Sequence, residues 1–552
     1  MRGYVLAYDM VFVPRMPLTR DLLGLGTSVA RAVPSDLLVA LASRAVPADV
    51  VQKLALAGIF VAGGWGAARL APVATAAGGA AAAALFAWNA YVYERLLIGH
   101  WALLVSYAAL PWVVGGALAW RAGRARVHGL VAALAAAACG SPPGALIAAA
   151  TALAVVAGRP WRRAAVVLGA ALALNAPWLL PSVLRPGSVP VRPVGAAAFA
   201  ARPDGPLGTL GSLLGLGGIW NALVVPPGLG SWAWWPAFAV VLAIAVLGWR
   251  AILERWPRSA ALGLLAAAAA GLAIAAAYAL PGLRGLVDLT VQHVPGGGMI
   301  RDAQKFVAPL ALVEAIGFGA GVERLLPLFA STRWRAAAAA VLVAAPVLLL
   351  PGLAWGGAGR LGVSAYPREW AEARKIMAAD PEPGAMLVLP WHLYLPFPWN
   401  GDRVVLNPAQ RYFTRRTVGN DDLELPTVTV PGEDPYGGRL APLVLGPAPL
   451  APVLPAEGIR YVMAFKIAER AAWTPRLAGL RPVLDNAELA LYRVPSPVTP
   501  VRLAGPPVPP VVAGDLLAVA TAGWACAGLL PPVASRRRRL VFSGRAGEGS
   551  RR

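Results

Sequence analysis

Apolar and polar positions along this chain fall into long blocks, not the short alternations of a soluble domain. Runs of about 20 apolar residues cross roughly 30 Å of hydrocarbon. Such runs predict eleven membrane helices, at 51–69, 74–92, 96–119, 127–139, 143–158, 164–183, 232–249, 259–280, 304–322, 336–354 and 511–534. The first member of the pair over 127–158 is short, and the CGSPPG turn at 139–144 also fits a re-entrant or broken element.

Between these blocks the pattern changes. Residues 1–50 are polar and often interrupted by Pro and Gly, and read as a loop. Residues 184–231 and 281–303 are long connections rich in Gly and Pro. Residues 355–510 form the one sizeable soluble stretch, enough for a small domain and the proline-rich linker that closes it. Within it AYPREWAEARKIMAA reads as a helix, and AMLVLPW, RVVLN, IRYVMAF and AELALYRV read as strands. The bundle is then 51–354, with a last helix at 511–534 and a basic tail at 535–552. The predicted fold is an α-helical polytopic membrane protein carrying a small external α/β domain.

Composition agrees: 58% of residues are hydrophobic, 14% are charged and the mean hydropathy is +0.61, which excludes an ordinary soluble protein. The net charge of +22 invites a nucleic-acid reading. Its distribution argues otherwise. Arg121/Arg124/Arg126, Arg159/Arg162/Arg163, Arg250/Arg255/Arg258, Arg333/Arg335 and the run at 536–539 all fall on one side when counted through the proposed spans. Basic residues mark the cytoplasmic side, so the excess reads as membrane orientation and no nucleic-acid partner is expected. The count also favours two helices over 127–158, and it places 1–50 and 355–510 outside. A loop that starts outside without an anchor leads us to expect one further amino-terminal helix upstream.

Two cysteines, Cys139 and Cys526, imply neither a disulfide framework nor a thiolate metal site. Neither HExxH nor GxSxG occurs. Three stretches could carry chemistry. In YVLAYDMVFVP, Asp9 is one carboxylate in apolar surroundings, suited to take a proton from a hydroxyl. Asp21 and Asp36 read as helix-start residues. In WNAYVYERLLIGHW, Glu94, Arg95 and His100 are unusual at a membrane face, and the two basic side chains suit an anionic partner such as a lipid phosphate. In GGGMIRDAQKF, a glycine turn precedes Arg301 and Lys305, spaced to share one helix face as a phosphate seat. Asp302 could cap that helix, while His293 and Asp288 lie just upstream. A magnesium or manganese ion, if one binds, would use Asp9 and Glu94. The aromatic cluster around Trp391, His392, Tyr394 and Trp399 suits sugar stacking or packing, and packing is preferred.

These same three stretches, with PLTRDLLGLG and VPSD, resemble a group of actinobacterial integral membrane proteins similar to the GT-C superfamily. That superfamily comprises polyprenyl-phosphate-sugar-dependent glycosyltransferases, with arabinofuranosyl- and mannosyltransferase branches. The resemblance covers the chain to about residue 500. It implies a bacterial plasma-membrane enzyme with its catalytic acid in the first external loop, the place of Asp9. Many members carry paired acids there, whereas this chain reads Tyr8-Asp9-Met10. The implied chemistry is inverting transfer to a glycan or lipid acceptor, with Asp9 as base and Arg301, Lys305, Arg95 and His100 on the departing phosphate. The soluble domain would hold the acceptor. A flippase of lipid-linked saccharides and a non-catalytic envelope-assembly protein are the alternatives. The structural discriminator is whether Asp9, Arg301 and Lys305 line one cavity.

Overall fold

The structure is a computed structural model that describes residues 2–530, except 124–125, 159, 187–192, 295 and 502. Arg124, Arg159, the run at 536–539 and the tail at 535–552 therefore lie outside the described residues.

The bundle begins with α1 (Ser35–Ala45), α2 (Ala48–Leu70), α3 (Ala76–Ala87), α4 (Ala90–Leu97) and α5 (Trp101–Arg121). It continues through α6 (His128–Ala138), α7 (Pro142–Val156), α8 (Trp161–Leu184), α9 (Trp234–Arg255), α10 (Arg258–Ala276), α11 (Arg284–His293), α12 (Ala308–Leu325) and α13 (Thr332–Leu349). Among the described residues eight helices are long and apolar enough to cross a membrane; α6 and α7 are shorter apolar helices. The chain is a multi-pass membrane protein. The turn at 139–144 separates two true helices: Ser141 caps α7 by accepting from the Gly144 N–H at 3.3 Å, and prolines fill its first positions.

The run at 74–92 is not one span. α3 stops at Ala87 because the Asn89 amide donates to the Leu85 and Phe86 carbonyls, both at 2.9 Å. The Asn89 Oδ1 accepts from the Val92 N–H at 3.0 Å and so starts α4. One side chain thus ends one helix and caps the next. All eight residues of α4 are buried.

α12 runs through the middle of the bundle. Its small residues let neighbouring backbones approach: a Cβ on Gly321 would meet the Ile244 carbonyl oxygen of α9 at 2.0 Å, and one on Gly319 the Gly78 carbonyl oxygen of α3 at 2.5 Å. At one end of the bundle Arg121 donates to Val155 O at 2.9 Å, while Arg255 reaches Glu323 at 3.2 Å. Arg163 bonds the Arg121 carbonyl at 2.5 Å. The ends of α5, α7, α8, α9 and α12 meet there, which puts Arg121, Arg163 and Arg255 at one end as the counting of their clusters requires.

The opposite end carries the rest. Residues 4–16, read above as part of a polar loop, form a buried strap, with Leu6, Met10, Val11, Phe12 and Val13 in the core. β1 (Tyr4–Val5) pairs antiparallel with β2 (Val363–Ser364). Gln52 of α2 clamps Val5 from both sides, accepting from its N–H at 2.9 Å and donating to its carbonyl at 2.7 Å.

Above the strap stands a five-stranded mixed sheet, ordered β10 (Arg481–Asp485), β11 (Leu489–Arg493), β9 (Ile459–Phe465), β3 (Ala385–Leu389) and β6 (Thr417–Val418). β3 runs parallel to both neighbours. Its side chains alternate: Leu387 and Leu389 pack with Tyr436 and Leu440 of α15 (Pro435–Leu445), while Met386 and Val388 face α14 (Arg368–Ala379) and the strap. Trp370 of α14 lies at that second face, stacked on Phe465 at 5.1 Å and Phe413 at 5.7 Å. Two small hairpins flank the sheet: β4 (Tyr394–Pro396) with β5 (Val404–Leu406), and β7 (Leu423–Glu424) with β8 (Thr429–Val430). RVVLN is therefore a hairpin strand, outside the main sheet. A last helix, α16 (Val508–Ala527), returns along α8.

Asp380, just past α14, fastens that helix to β9 by accepting from the Tyr461 hydroxyl at 2.6 Å and Arg460 Nε at 3.0 Å. Burial pushes its carboxyl up, but these donors outweigh it and bring it from 3.8 to about 2. A folded value below the unfolded one stabilises at neutral pH, and that contribution disappears as pH falls from about 4 to about 2. We expect Asp380→Asn to lose about 1–2 kcal/mol at pH 7 and progressively less below pH 4, read by thermal unfolding across pH.

Candidate active site

Asp9 sits in a tight turn where the strap crosses the start of α5. Tyr8 is held in a left-handed conformation (φ 44°) by backbone bonds to β5, donating to Val404 O at 2.8 Å and accepting from the Leu406 N–H at 2.9 Å. The Asp9 N–H donates to Ile98 O at 3.2 Å. Beneath the turn is Gly99 (φ +85°), where a Cβ would stand 2.2 Å from Met10 N and 2.7 Å from Asp9 N. Only a residue without a side chain allows the strap so close.

Both carboxylate oxygens of Asp9 are engaged. The Tyr394 hydroxyl of β4 donates to Oδ1, and His100 Nε2 lies 3.1 Å from Oδ2. Burial pushes this carboxyl up, but the His100 and Tyr394 hydrogen bonds outweigh it and hold it below the usual value. The side chain keeps 38% exposure while lining a cavity, so its open side is the cavity wall.

The other face of the His100 ring meets Arg95, whose Nη1 is 3.0 Å from Nδ1. Arg95 has no solvent exposure and forms a two-pronged pair with Asp302, at 2.5 and 2.9 Å. Gln304 Oε1 accepts from Arg95 Nε at 3.0 Å and Nη2 at 2.5 Å. Burial pushes the Asp302 acid up, yet Arg95 and Lys305 beside it take it well below the normal range. Asp302 is thus the counter-ion of Arg95 and does not cap the helix; no side-chain cap bond forms at that turn.

One cavity of about 2660 Å³ receives Asp9, His100, Asp302, Arg301, Lys305, Tyr394 and Arg411 on its wall. It is several times the roughly 300–1,000 Å³ of an ordinary small-ligand pocket. A long arm follows α7 and α8, bounded by Leu146, Leu153, Leu168, Leu172 and Leu179. The far side is closed by the soluble region, including the β7–β8 hairpin.

The remaining predicted residues divide. Arg301 and Lys305 share the cavity but not a helix face, because the chain from Gly297 to Val307 runs in two 3-10 turns. Arg301 pairs with Glu433 at 3.0 Å, whereas Lys305 stands 3.9 Å from Asp302. In the glycine turn, the N–H groups of Gly297 and Met299 bond Val294 O and Gly296 O at 2.8 and 3.0 Å, so they are not aimed at an anion. Arg95 does not reach the cavity wall. His293 does, with Nδ1 donating to Leu289 O at 3.2 Å; Asp288 lies off the wall near Tyr278. Asp36 pairs with Arg411 at 2.8 Å instead of capping α1.

Glu94 is fully buried behind Arg95, where Gln304 Nε2 donates to it at 3.3 Å. Burial and the neighbouring Asp204 both push its acid well up. It is not part of the cavity wall that Asp9 lines. Among the described residues no three His, Cys, Asp or Glu side chains form a metal-binding group.

Tyr394, Gln304 and Gly99 are the site residues that sequence reasoning did not single out. Tyr394 lay within an aromatic cluster read as packing. Gln304 and Gly99 carry no local signal of their role.

No protein-family model matches the chain, and no curated protein sequence matches it significantly. Solved structures do. A single-particle cryo-EM structure of arabinofuranosyltransferase AftD from Mycobacteria superposes with a TM-score of 0.57 at 19% identity, covering 90% of this chain and 38% of that one. A second AftD structure, of a mutant, gives 0.56 at 18% identity, covering 89% and 40%. The chain thus spans about two-fifths of the length of the structures it matches. At this identity the likeness establishes the fold alone: a helical membrane bundle carrying a sheet-bearing region, as the sequence led us to expect.

Because the Asp9 turn rests on Gly99, Gly99→Ala should lower thermal stability by about 1–3 kcal/mol or more. Gly123→Ala is the control, since Gly123 is also left-handed (φ +69°) but a Cβ there meets nothing within 4 Å. Equal losses in the two variants would show that the strap contact contributes nothing.

Proposed function

We propose that this chain is a membrane glycosyltransferase that moves a sugar from a polyprenyl-phosphate donor onto a glycan or lipid acceptor of the cell envelope, with inversion. One observation carries the reading. A single cavity joins the Asp9 carboxylate, the cations Arg301, Lys305 and Arg411, and an apolar arm along α7 and α8. The fold shared with an arabinofuranosyltransferase supports sugar transfer as its chemistry.

In this reading the lipid tail lies along α7 and α8, where Leu168 and Leu172 are half exposed to the arm. Its phosphate rests near Lys305 and Arg301. The acceptor approaches from the soluble region, past Tyr394 and Arg411. An acceptor hydroxyl oxygen forms its bond to the anomeric carbon as the bond from that carbon to the phosphate oxygen breaks. The hydroxyl proton passes to Asp9, and the electron pair leaves with the phosphate, whose growing charge the cations neutralise.

The hydrogen bonds from His100 and Tyr394 favour the ionised Asp9 carboxylate, leaving it ready to accept but weakly basic. Proton transfer is therefore late, once bond formation has made the hydroxyl acidic. The site stands at the end of the bundle away from Arg121, Arg163 and Arg255, the external face under the positive-inside rule.

Asp9→Asn should reduce transfer by about 10²-fold or more in proteoliposomes supplied with labelled polyprenyl-phosphate sugar, in protein that still unfolds cooperatively. Normal transfer by that variant would sink the role of Asp9. Movement of intact donor across the vesicle, without product, would favour a flippase.

A further inference from the structure

We infer that Arg95 is a positioning residue: it fixes the His100 ring so that its Nε2–H is held on Asp9, and neither side chain is a phosphate ligand. The inference rests on the transferase reading only for its meaning in catalysis; the geometry stands apart from it.

The argument begins with a count of donors. A guanidinium has five N–H groups and no acceptor. Arg95 makes five contacts: Nε to Gln304, Nη1 to Asp302 and His100, and Nη2 to Asp302 and Gln304, at 2.5–3.0 Å. Every N–H is used inside the protein, and the side chain has no exposure. Nothing remains for an incoming anion.

The same count sets the histidine. Arg95 can only donate, so His100 Nδ1 must accept and the ring proton lies on Nε2. Nε2 is the atom that faces Asp9 Oδ2 at 3.1 Å. A proton on Nδ1 would require the Arg95 contact to break. The charged groups around this ring are Arg95 and Asp302 on one side and Asp9 on the other, with Arg411 beyond Asp9.

Arg95 is in turn immobilised. Gln304 is fully buried, and its amide donates to Glu94 Oε2 at 3.3 Å, Leu216 O at 3.3 Å and Gly217 O at 3.1 Å. A chain of hydrogen bonds thus runs from the 216–217 loop through Gln304, Arg95 and His100 to Asp9. With Tyr394 on the other oxygen, it fixes the carboxylate plane and leaves the remaining lone pairs facing the cavity.

The test is nitrogen NMR of the full chain with labelled histidine, in which His100→Gln assigns one of only four histidine signals. The Nε2–H tautomer is expected for His100 at neutral pH. An Nδ1–H or doubly protonated ring would overturn the inference. Arg95→Lys keeps a charge opposite Asp302 but loses the fork, so the single tautomer should be lost; an unchanged His100 signal would also overturn it. If that variant does not fold, the wild-type spectrum decides.

In the transfer assay a glutamine amide can replace the Nε2–H donor. His100→Gln should keep activity within about tenfold, while His100→Leu loses about 10²-fold. Equal losses would point to a cationic phosphate ligand and defeat the positioning role. Absence of transfer even in the wild-type protein would overturn the transferase reading alone, since the tautomer is read without turnover.

Discussion

A charge with no access to water must be matched inside the protein, and Arg95 is the clearest case in this molecule. Asp302 supplies the charge, and Gln304 and His100 the remaining acceptors. That requirement fixes α4 against the 3-10 turns before α12, although more than 200 residues of chain separate them. It also accounts for the break after α3. A continuous helix would carry Arg95 onward along the bundle, away from Asp302. Asn89 redirects the chain and leaves all of α4 buried at the end where the cavity opens.

The strap makes the second half of the site. It is held by main-chain pairing to β2 and β5, by Gln52 from α2 and by the absence of a side chain at Gly99. These contacts come from both the membrane bundle and the soluble region. Asp9 consequently marks a seam: His100 approaches it from the helices and Tyr394 from β4. Placement of the carboxylate therefore depends on the β4–β5 hairpin as well as on the helices.

Legibility followed the range of the forces involved. β3 and β9 were readable because both faces are buried, which writes continuous apolar runs into the sequence. β6 is two residues long, and β10 is largely exposed, so neither leaves such a run. The span expected at 74–92 failed because hydropathy averages over Asn89, whose effect is a set of directed hydrogen bonds. Among the site residues, Asp9 stood out as a lone acid in apolar surroundings. Arg95 and His100 stood out as charges at a membrane face, but nothing local showed that the buried Arg95 guanidinium would be met by acceptors on Asp302, Gln304 and His100.

Hydropathy and charge are local and additive, so the sequence alone determined a multi-pass bundle, the common end of Arg121, Arg163 and Arg255, and the presence of an α/β region. It also narrowed the chemistry to three stretches. Only the tertiary structure decided what those stretches do for one another: that Asp302 neutralises Arg95, that Arg95 orients His100, and that His100 and Tyr394 hold Asp9 against an open cavity. Those pairings are directional contacts between segments far apart in the chain. No periodicity encodes them, because a hydrogen bond depends on where two groups arrive in space and not on where either lies along the backbone.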